Sequence, residues 1–133
     1  MQAALRILDA ELTAMTAGLA ASGDPDSAIA GYRRFGELID ATPSLRAYQS
    51  DTMDRFVTVA AELLAERVGL SPGDPEPQIA AAALLGLWRV QFQSLRRHLA
   101  TTSDPAKLHN EVTTDVRRAA RLIENGLTSS WPS

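Results

Sequence analysis

The sequence contains no cysteine, which excludes disulfide bonds, thiolate zinc sites and thiol nucleophiles. It also lacks a long apolar run. Its most apolar segment, Ile79 to Trp88, has ten residues and is bounded by Gln78 and Arg89. A membrane-spanning helix needs about 18 apolar residues or more. We therefore expect a buried helix segment here and no membrane anchor, and the lack of cysteine agrees with a cytoplasmic location.

An excess of positive charge is also missing. The formal net charge is -3 at pH 7, which provides no general attraction to phosphate backbones or anionic lipid. A nucleic-acid surface would concentrate basic residues on one element. Here three basic pairs are spread over three predicted helices: Arg33-Arg34, Arg96-Arg97 and Arg117-Arg118. We expect that this chain does not bind DNA by itself.

No residues are spaced for catalysis or for metal binding. His98 and His109 each lack a His, Asp or Glu three or four positions away, which is the spacing of helical metal sites. Acidic residues such as Asp54 and Glu62 are interleaved with arginines, as on a solvated helix face. There is no glycine-rich phosphate loop and no serine in a nucleophile-elbow setting. We predict surface histidines, no metal, no cofactor and no enzymatic activity.

Helical periodicity extends along most of the sequence, and proline pairs punctuate it. An Asp or Thr side chain can cap the first-turn amides of a helix, and proline suits the first helical position. Asp-Pro and Thr-Pro pairs therefore predict helix starts at Pro25, Pro43, Pro75 or Pro77, and Pro105. A further helix begins almost at the first residue, without a capping sequence ahead of it. This start is a sign that the chain is cut from a longer protein.

The end of the third helix, the following loop and the lack of strand patterns complete the predicted architecture. The third helix should stop near Val68, because Gly69 can adopt the left-handed conformation and Leu70 can fold back on the last turn. The clearest loop is Ser71 to Asp74, and no segment shows the alternation of a strand. We predict an all-α domain of about five helices in an antiparallel bundle over residues 1–127, followed by a frayed tail at 128–133.

The last two predicted helices, Pro77 to Leu127, form an apolar hairpin around a short connection at residues 101–105. Small residues crowd the first of them, and large residues follow. The second carries one apolar stripe: Leu108, Val112, Val116, Ala119, Ala120, Ile123 and Leu127. So much apolar surface indicates that the hairpin packs against more than its own chain.

Aromatic and polar residues in the middle of the third and fourth predicted helices suggest a ligand pocket. Both helices must bury apolar faces, so these residues should be neighbours in one core. Small-molecule pockets are mostly apolar with a few placed polar groups. The candidate ligand-binding residues are Tyr48, Thr52, Phe56, Trp88, Arg89 and Phe92. The alternative is that the aromatic side chains simply fill the core.

Three segments, in this order, carry a resemblance to a known family: Leu5 to Leu12, Phe35 to Tyr48 with its Thr-Pro-Ser-Leu-Arg sequence, and Ile79 to Arg89. The chain resembles the C-terminal domain of TetR-type transcriptional regulators. The resemblance implies effector binding and homodimerisation, with the last two helices of each copy forming a four-helix bundle. The implied interface residues are Leu84, Leu108, Val112, Val116, Ala119, Ala120 and Ile123.

The chain departs from that family in one respect, because the helix-turn-helix head is absent from the sequence. The resemblance implies that DNA is contacted only through such a missing N-terminal domain. A small, mostly apolar effector would then control DNA binding by changing the placement of the first helix. The alternative is a stand-alone helical protein-interaction module without a ligand cavity.

Overall fold

The computed structural model describes residues 1–126. Leu127, the last member of the predicted stripe, and the predicted tail at 128–133 lie outside the described residues. Over the described range the chain is all-α, as predicted, and contains no strand. The helices are α1 (Gln2–Ala21), α2 (Pro25–Ala41), α3 (Pro43–Val68), α4 (Pro75–Leu99) and α5 (Pro105–Asn125).

Four helices begin at the predicted prolines, and two of the predicted caps are present. The Asp104 carboxylate accepts a hydrogen bond from the Ala106 backbone amide at 3.0 Å. The Asp24 carboxylate accepts one from the Ser27 amide at 3.2 Å. Both bonds satisfy first-turn amides that have no partner within the helix. Aspartate and proline together therefore start α2 and α5.

The other two predicted caps are wrong. The Asp74 carboxylate accepts from the Ser71 amide at 2.8 Å, inside the loop before α4. The Thr42 hydroxyl donates to the Leu38 carbonyl at 2.6 Å, back toward the end of α2. Both side chains bond to the segment that precedes their helix. At these two starts proline acts alone, through its fixed φ and its missing amide proton.

The end of α3 follows the prediction. Gly69 has a φ of 72°, in the left-handed region that glycine adopts without steric cost. The Leu70 amide donates to the Ala65 carbonyl, five residues earlier, at 3.0 Å. This is the wider of the two hydrogen bonds that define a Schellman motif. These two residues stop the helix and turn the chain into the predicted loop.

The chain divides into two compact units. The first unit comprises Met1–Glu37 and the chain from Leu87 onward, and the second comprises Leu38–Gly86. In the first unit α1 packs against α5. Its buried core consists of Leu8, Leu12, Leu19, Ile29, Leu87, Leu99, Leu108, Val112, Val116 and Ala120. The α1 members of this core recur at helical spacing along one face, as expected of an amphipathic helix.

The second unit buries mainly small side chains. Ala61, Ala65 and Ala81 are buried, together with Ile39. In contrast, α3 exposes a row of large apolar side chains at steps of three, four and eight residues, which we term the α3 stripe: Leu45, Tyr48, Phe56, Val59 and Leu63. Exposed apolar patches of this kind mark sites of binding to ligands or to other proteins.

The most apolar segment of the sequence lies in α4 and is only partly buried. Ala81 and Leu87 are buried as expected, whereas Ile79 is exposed. Among the described residues, no helix combines the length and the apolar character that crossing a membrane requires.

Candidate functional site

The six predicted ligand-binding residues lie on two helices. Tyr48, Thr52 and Phe56 are on α3 in the second unit, and Trp88, Arg89 and Phe92 are on α4 in the first unit. Trp88 and Phe92 stand one turn apart and are 36% and 42% exposed. The alternative, in which these two aromatic side chains fill the core, does not fit that exposure. Ligand binding itself stays a prediction.

An arginine of α4 lies over one of these two aromatic rings. The Arg96 guanidinium carbon lies 6.0 Å from the centre of the Phe92 ring, within the range of a cation–π contact. Gly36 of α2 makes room for Arg96, because a Cβ at this position would lie 2.8 Å from the Arg96 Nε atom. The Arg33 Nε atom donates to the Leu99 carbonyl and fixes α2 against the end of α4.

Thr52 has a feature that supports its selection. Its Oγ1 atom is buried and has no hydrogen-bond partner among the described residues. A threonine in a helix commonly donates to the carbonyl four residues earlier, as Thr58 does to Asp54 at 3.1 Å. A buried hydroxyl without a partner costs about 1–3 kcal/mol. The structure therefore leaves the Thr52 hydroxyl without a protein partner, and its contact with a ligand stays a prediction.

The predicted α5 stripe is largely used by the chain itself. Leu108 and Val112 are completely buried, and Val116 and Ala120 are nearly so, all within the core shared with α1. A contact of these four side chains with a second copy stays a prediction. α5 buries them because it is packed on α1, which also needs to cover its apolar face. Ala119, Ile123 and Leu84 are only half-buried.

A polar cluster that the sequence did not reveal joins α4 to α5. Asp115 accepts hydrogen bonds from Ser94 Oγ at 2.7 Å and from Arg97, and it lies 3.0 Å from His98 Nε2. The other ring nitrogen of His98 lies 2.8 Å from Glu111 Oε2. The His98 ring therefore lies between two carboxylates of α5.

The environment of Asp115 shifts its ionisation. Burial raises the pKa of this carboxyl, but the hydrogen bonds from Ser94 and His98 and the charges of Arg97 and His98 together lower it more. The net result is a pKa below the ordinary value. These interactions favour the charged carboxylate and tie the two helices together at neutral pH.

The expectation of surface histidines is therefore wrong for His98, whose side chain is only 20% exposed. His109 is also partly covered, and its Nε2 atom lies 3.4 Å from Asp9 Oδ1 on α1. The spacing of residues along one helix does not indicate these contacts, because they cross from one helix to another. Within residues 1–126, no three His, Asp or Glu side chains are grouped so as to bind a metal ion.

A cleft at the N-terminal end of α1, which we term the α1–α5 cleft, was also missed. It has a volume of about 400 Å³, within the range of about 300–1,000 Å³ that small-molecule sites occupy. All of its lining residues belong to the first unit: Gln2, Leu5, Arg6, Leu8, Asp9, Gln91, Thr113, Val116, Arg117, Ala120, Arg121 and Glu124. Its floor is apolar, and its rim carries three arginines.

Comparison with known proteins identifies the family. The family described as the MftR C-terminal domain matches residues 5–128, nearly the whole chain. No curated protein and no solved structure matches the chain. The match agrees with the all-α fold and with the resemblance carried by the three sequence segments. The chain belongs to the MftR C-terminal domain family, and so to the C-terminal ligand-binding and dimerisation domains of TetR-type transcriptional regulators.

Proposed function

We propose that this chain senses a small, mostly apolar effector and holds two copies of a TetR-type regulator together. The family match over residues 5–128 carries this proposal. DNA recognition, in this proposal, belongs to a helix-turn-helix head that is not among the 133 residues, and the regulator acts in the cytoplasm. Because a ligand shifts an equilibrium only through its different affinities for two states, the effector must favour one placement of α1.

Exposed aromatic side chains support the apolar character of the effector. Trp88 and Phe92 present adjacent rings on α4, and Arg89 and Arg96 provide charged groups on the same helix. On α3, Tyr48 and Phe56 are exposed beside the unpartnered Thr52 hydroxyl. Large aromatic surfaces with a few polar groups are typical of small-molecule sites. We propose these α3 and α4 residues as effector contacts, each of which can be tested singly.

The outer face of α5 supports dimerisation. A shallow groove of about 450 Å³ runs along this helix, and the half-buried Ala119 and Leu122 line it between arginines. Leu122 is not part of the buried core. An isologous contact would bring the same face of α5 from each copy together. We therefore propose Ala119, Leu122 and Ile123 as direct contacts, with Leu108, Val112, Val116 and Ala120 supporting them from within the chain.

Binding of the neutral dye N-phenyl-1-naphthylamine tests the effector proposal. We expect the dye to gain fluorescence on the wild-type protein, and Phe92→Ala and Phe56→Ala to weaken its binding severalfold. Ile7→Ala is the matched control, because Ile7 is an exposed apolar residue on α1 outside the proposed contacts. Equal dye affinity in all four proteins, or no binding to any of them, would contradict the proposal.

The α3 stripe favours a second candidate function. An exposed apolar row can also receive an amphipathic helix of another protein. Under this alternative the chain is a helical interaction module, and substitutions on α3 have no effect on dye binding. Retention of a helical partner by the wild type but not by Leu63→Asp, with no dye bound to either protein, would favour the alternative.

A further inference from the structure

We propose that the α1–α5 cleft is a binding site for a small organic monoanion with an apolar body, such as an aromatic or alicyclic carboxylate. The site lies wholly within the first unit and shares no residue with the effector contacts proposed on α3 and α4. It is a second ligand site beyond the proposed function. The charge, the unsatisfied polarity and the volume of the cleft support such a ligand.

Three arginines around the cleft are available to an anion. Arg6 of α1 and Arg117 and Arg121 of α5 line it, and none of the three forms a salt bridge or hydrogen bond with another described residue. Three arginines outside the cleft pair with carboxylates, Arg55 with Asp51 and both Arg97 and Arg118 with Asp115. Arginine presents a planar fork of donors that fits a carboxylate in two-point contact.

Two carboxylates in the same lining restrict the ligand's charge. Asp9 lies 3.4 Å from the Nε2 atom of His109, and Glu124 follows Arg121 on the exposed side of α5. Three arginines against two carboxylates leave the cleft with a formal charge of one positive unit. Like charges repel a second anionic group, so a monoanion fits this lining better than a dianion or a polyphosphate.

Unsatisfied polarity inside the cleft points to the same conclusion. Thr113 Oγ1 is buried without a hydrogen-bond partner in the part of the chain that the structure describes. The neighbouring Thr114 satisfies its hydroxyl by donating to the Asn110 carbonyl at 2.9 Å. Thr113 and Arg117 lie one turn apart on the same helix, so a carboxylate bound at Arg117 would lie next to the Thr113 side chain, and a change of its rotamer would bring the hydroxyl to the anion. A bound anion would remove the cost of the orphaned hydroxyl.

The apolar floor of the cleft determines what kind of body the anionic ligand should have. Leu5, Leu8, Val116 and Ala120 provide its apolar surface. Gln91, which is buried, donates from Nε2 to the Leu8 carbonyl at 3.0 Å and so fixes α1 against α4 at the base of the cleft. A ring or a short branched chain would cover this floor while its carboxylate meets the arginines. Ligand binding here would hold the N-terminal part of α1 to α5.

The test is a titration of the isotopically labelled chain with benzoate, followed by NMR. We expect shifts at the Thr113 amide and at the Gln91 side-chain amide, with much weaker binding of the neutral analogue benzamide. Arg117→Gln should weaken benzoate binding by about tenfold or more, the usual range for a charge-assisted hydrogen bond. Arg34→Gln removes the same charge from an exposed position on α2 outside the cleft and should leave the affinity unchanged.

A second variant separates binding from folding. Thr113→Val keeps the shape of the side chain and removes the orphaned hydroxyl. We expect the thermal midpoint of the free protein to stay the same or rise, while benzoate binding weakens severalfold. A purely structural role of Thr113 would lower the midpoint instead.

Three results would overturn the proposal. They are no benzoate or cyclohexanecarboxylate binding at millimolar concentration, equal affinities in Arg117→Gln and Arg34→Gln, or inorganic phosphate binding as tightly as benzoate. The regulator function would survive each of them, because neutral-dye binding and the solution mass test it separately. Loss of dimerisation and dye binding with intact benzoate binding would instead contradict the proposed function alone.

Discussion

At the scale of single residues, Asp115 shows how one carboxylate connects two helices. It accepts from Ser94, faces His98 and pairs with Arg97, and its side chain is only 15% exposed. We expect Asp115→Asn to lower the free energy of unfolding at neutral pH by about 1.5–3 kcal/mol, the range for hydrogen bonds to charged groups. The control Asp51→Asn removes an exposed pair with Arg55 and should cost less than about 1 kcal/mol.

The pH dependence of this effect has a definite sign. The folded-state pKa of Asp115 lies below its ordinary value, so the unfolded chain takes up the proton first as the pH falls. The stabilisation by Asp115 is complete above the unfolded-state pKa and is lost as the pH falls through the folded-state pKa. Urea unfolding should therefore show the wild type and Asp115→Asn converging below about pH 5. An unchanged difference at pH 3 would contradict this assignment.

Two glycines in α2 form a matched pair. A Cβ at Gly31 would meet no atom within 4 Å, whereas at Gly36 it would lie 2.8 Å from Arg96 Nε. Alanine is more favourable than glycine inside a helix by about 1 kcal/mol. We expect Gly31→Ala to raise the thermal midpoint. Gly36→Ala should give no such increase, because Arg96 must move away from α2 to make room for the added Cβ. Equal increases in both variants would show that Arg96 does not pack there.

At the scale of helices, burial divides the apolar residues into two groups. Leu108 on α5 is completely buried, whereas Leu63 on the α3 stripe is 59% exposed. Leu108→Ala should lower the free energy of unfolding by about 2–5 kcal/mol, and Leu63→Ala by about 0.5 kcal/mol or less. Chemical denaturation followed by circular dichroism measures both. Similar costs for the two variants would contradict the division.

The sequence predicted where the helices begin and end, because proline and glycine act locally. Pro25, Pro43, Pro75 and Pro105 fix the backbone without a distant partner, and Gly69 does the same at the end of α3. Which helix covers an apolar stripe is a tertiary property. Periodicity identified the α5 stripe correctly but could not show that α1 would bury it. The predicted caps at Thr42 and Asp74 were wrong for a local reason. Each side chain bonds instead to a backbone group of the segment that precedes its helix.

The candidate site was predictable only in part, for the same reason. Aromatic residues at helical spacing identified Trp88 and Phe92, and both are exposed on α4. The polar groups of the first unit depend on contacts between helices, so the local sequence marked neither Asp115 nor Thr113 and did not show the partners of His98. Buried polar atoms become informative only when their partners in space are known.

At the scale of the whole molecule, family membership and the surface of α5 point to a dimer. The match to the MftR C-terminal domain covers residues 5–128, and Leu122 lies half-buried in a groove outside the core. Introducing charge at an isologous interface places two like charges near the symmetry axis. Leu122→Arg should therefore dissociate the dimer without unfolding the chain. Ala106→Arg, at an exposed position in the first turn of α5, should remain dimeric.

The most direct test of this account is the solution mass of the chain at micromolar concentration, measured by light scattering during size-exclusion chromatography. We expect the wild type to have twice the 14.3 kDa mass of one chain, and Leu122→Arg to have the mass of one chain with an unchanged helical circular dichroism spectrum. A wild-type protein that stays at 14.3 kDa throughout that concentration range would contradict the account.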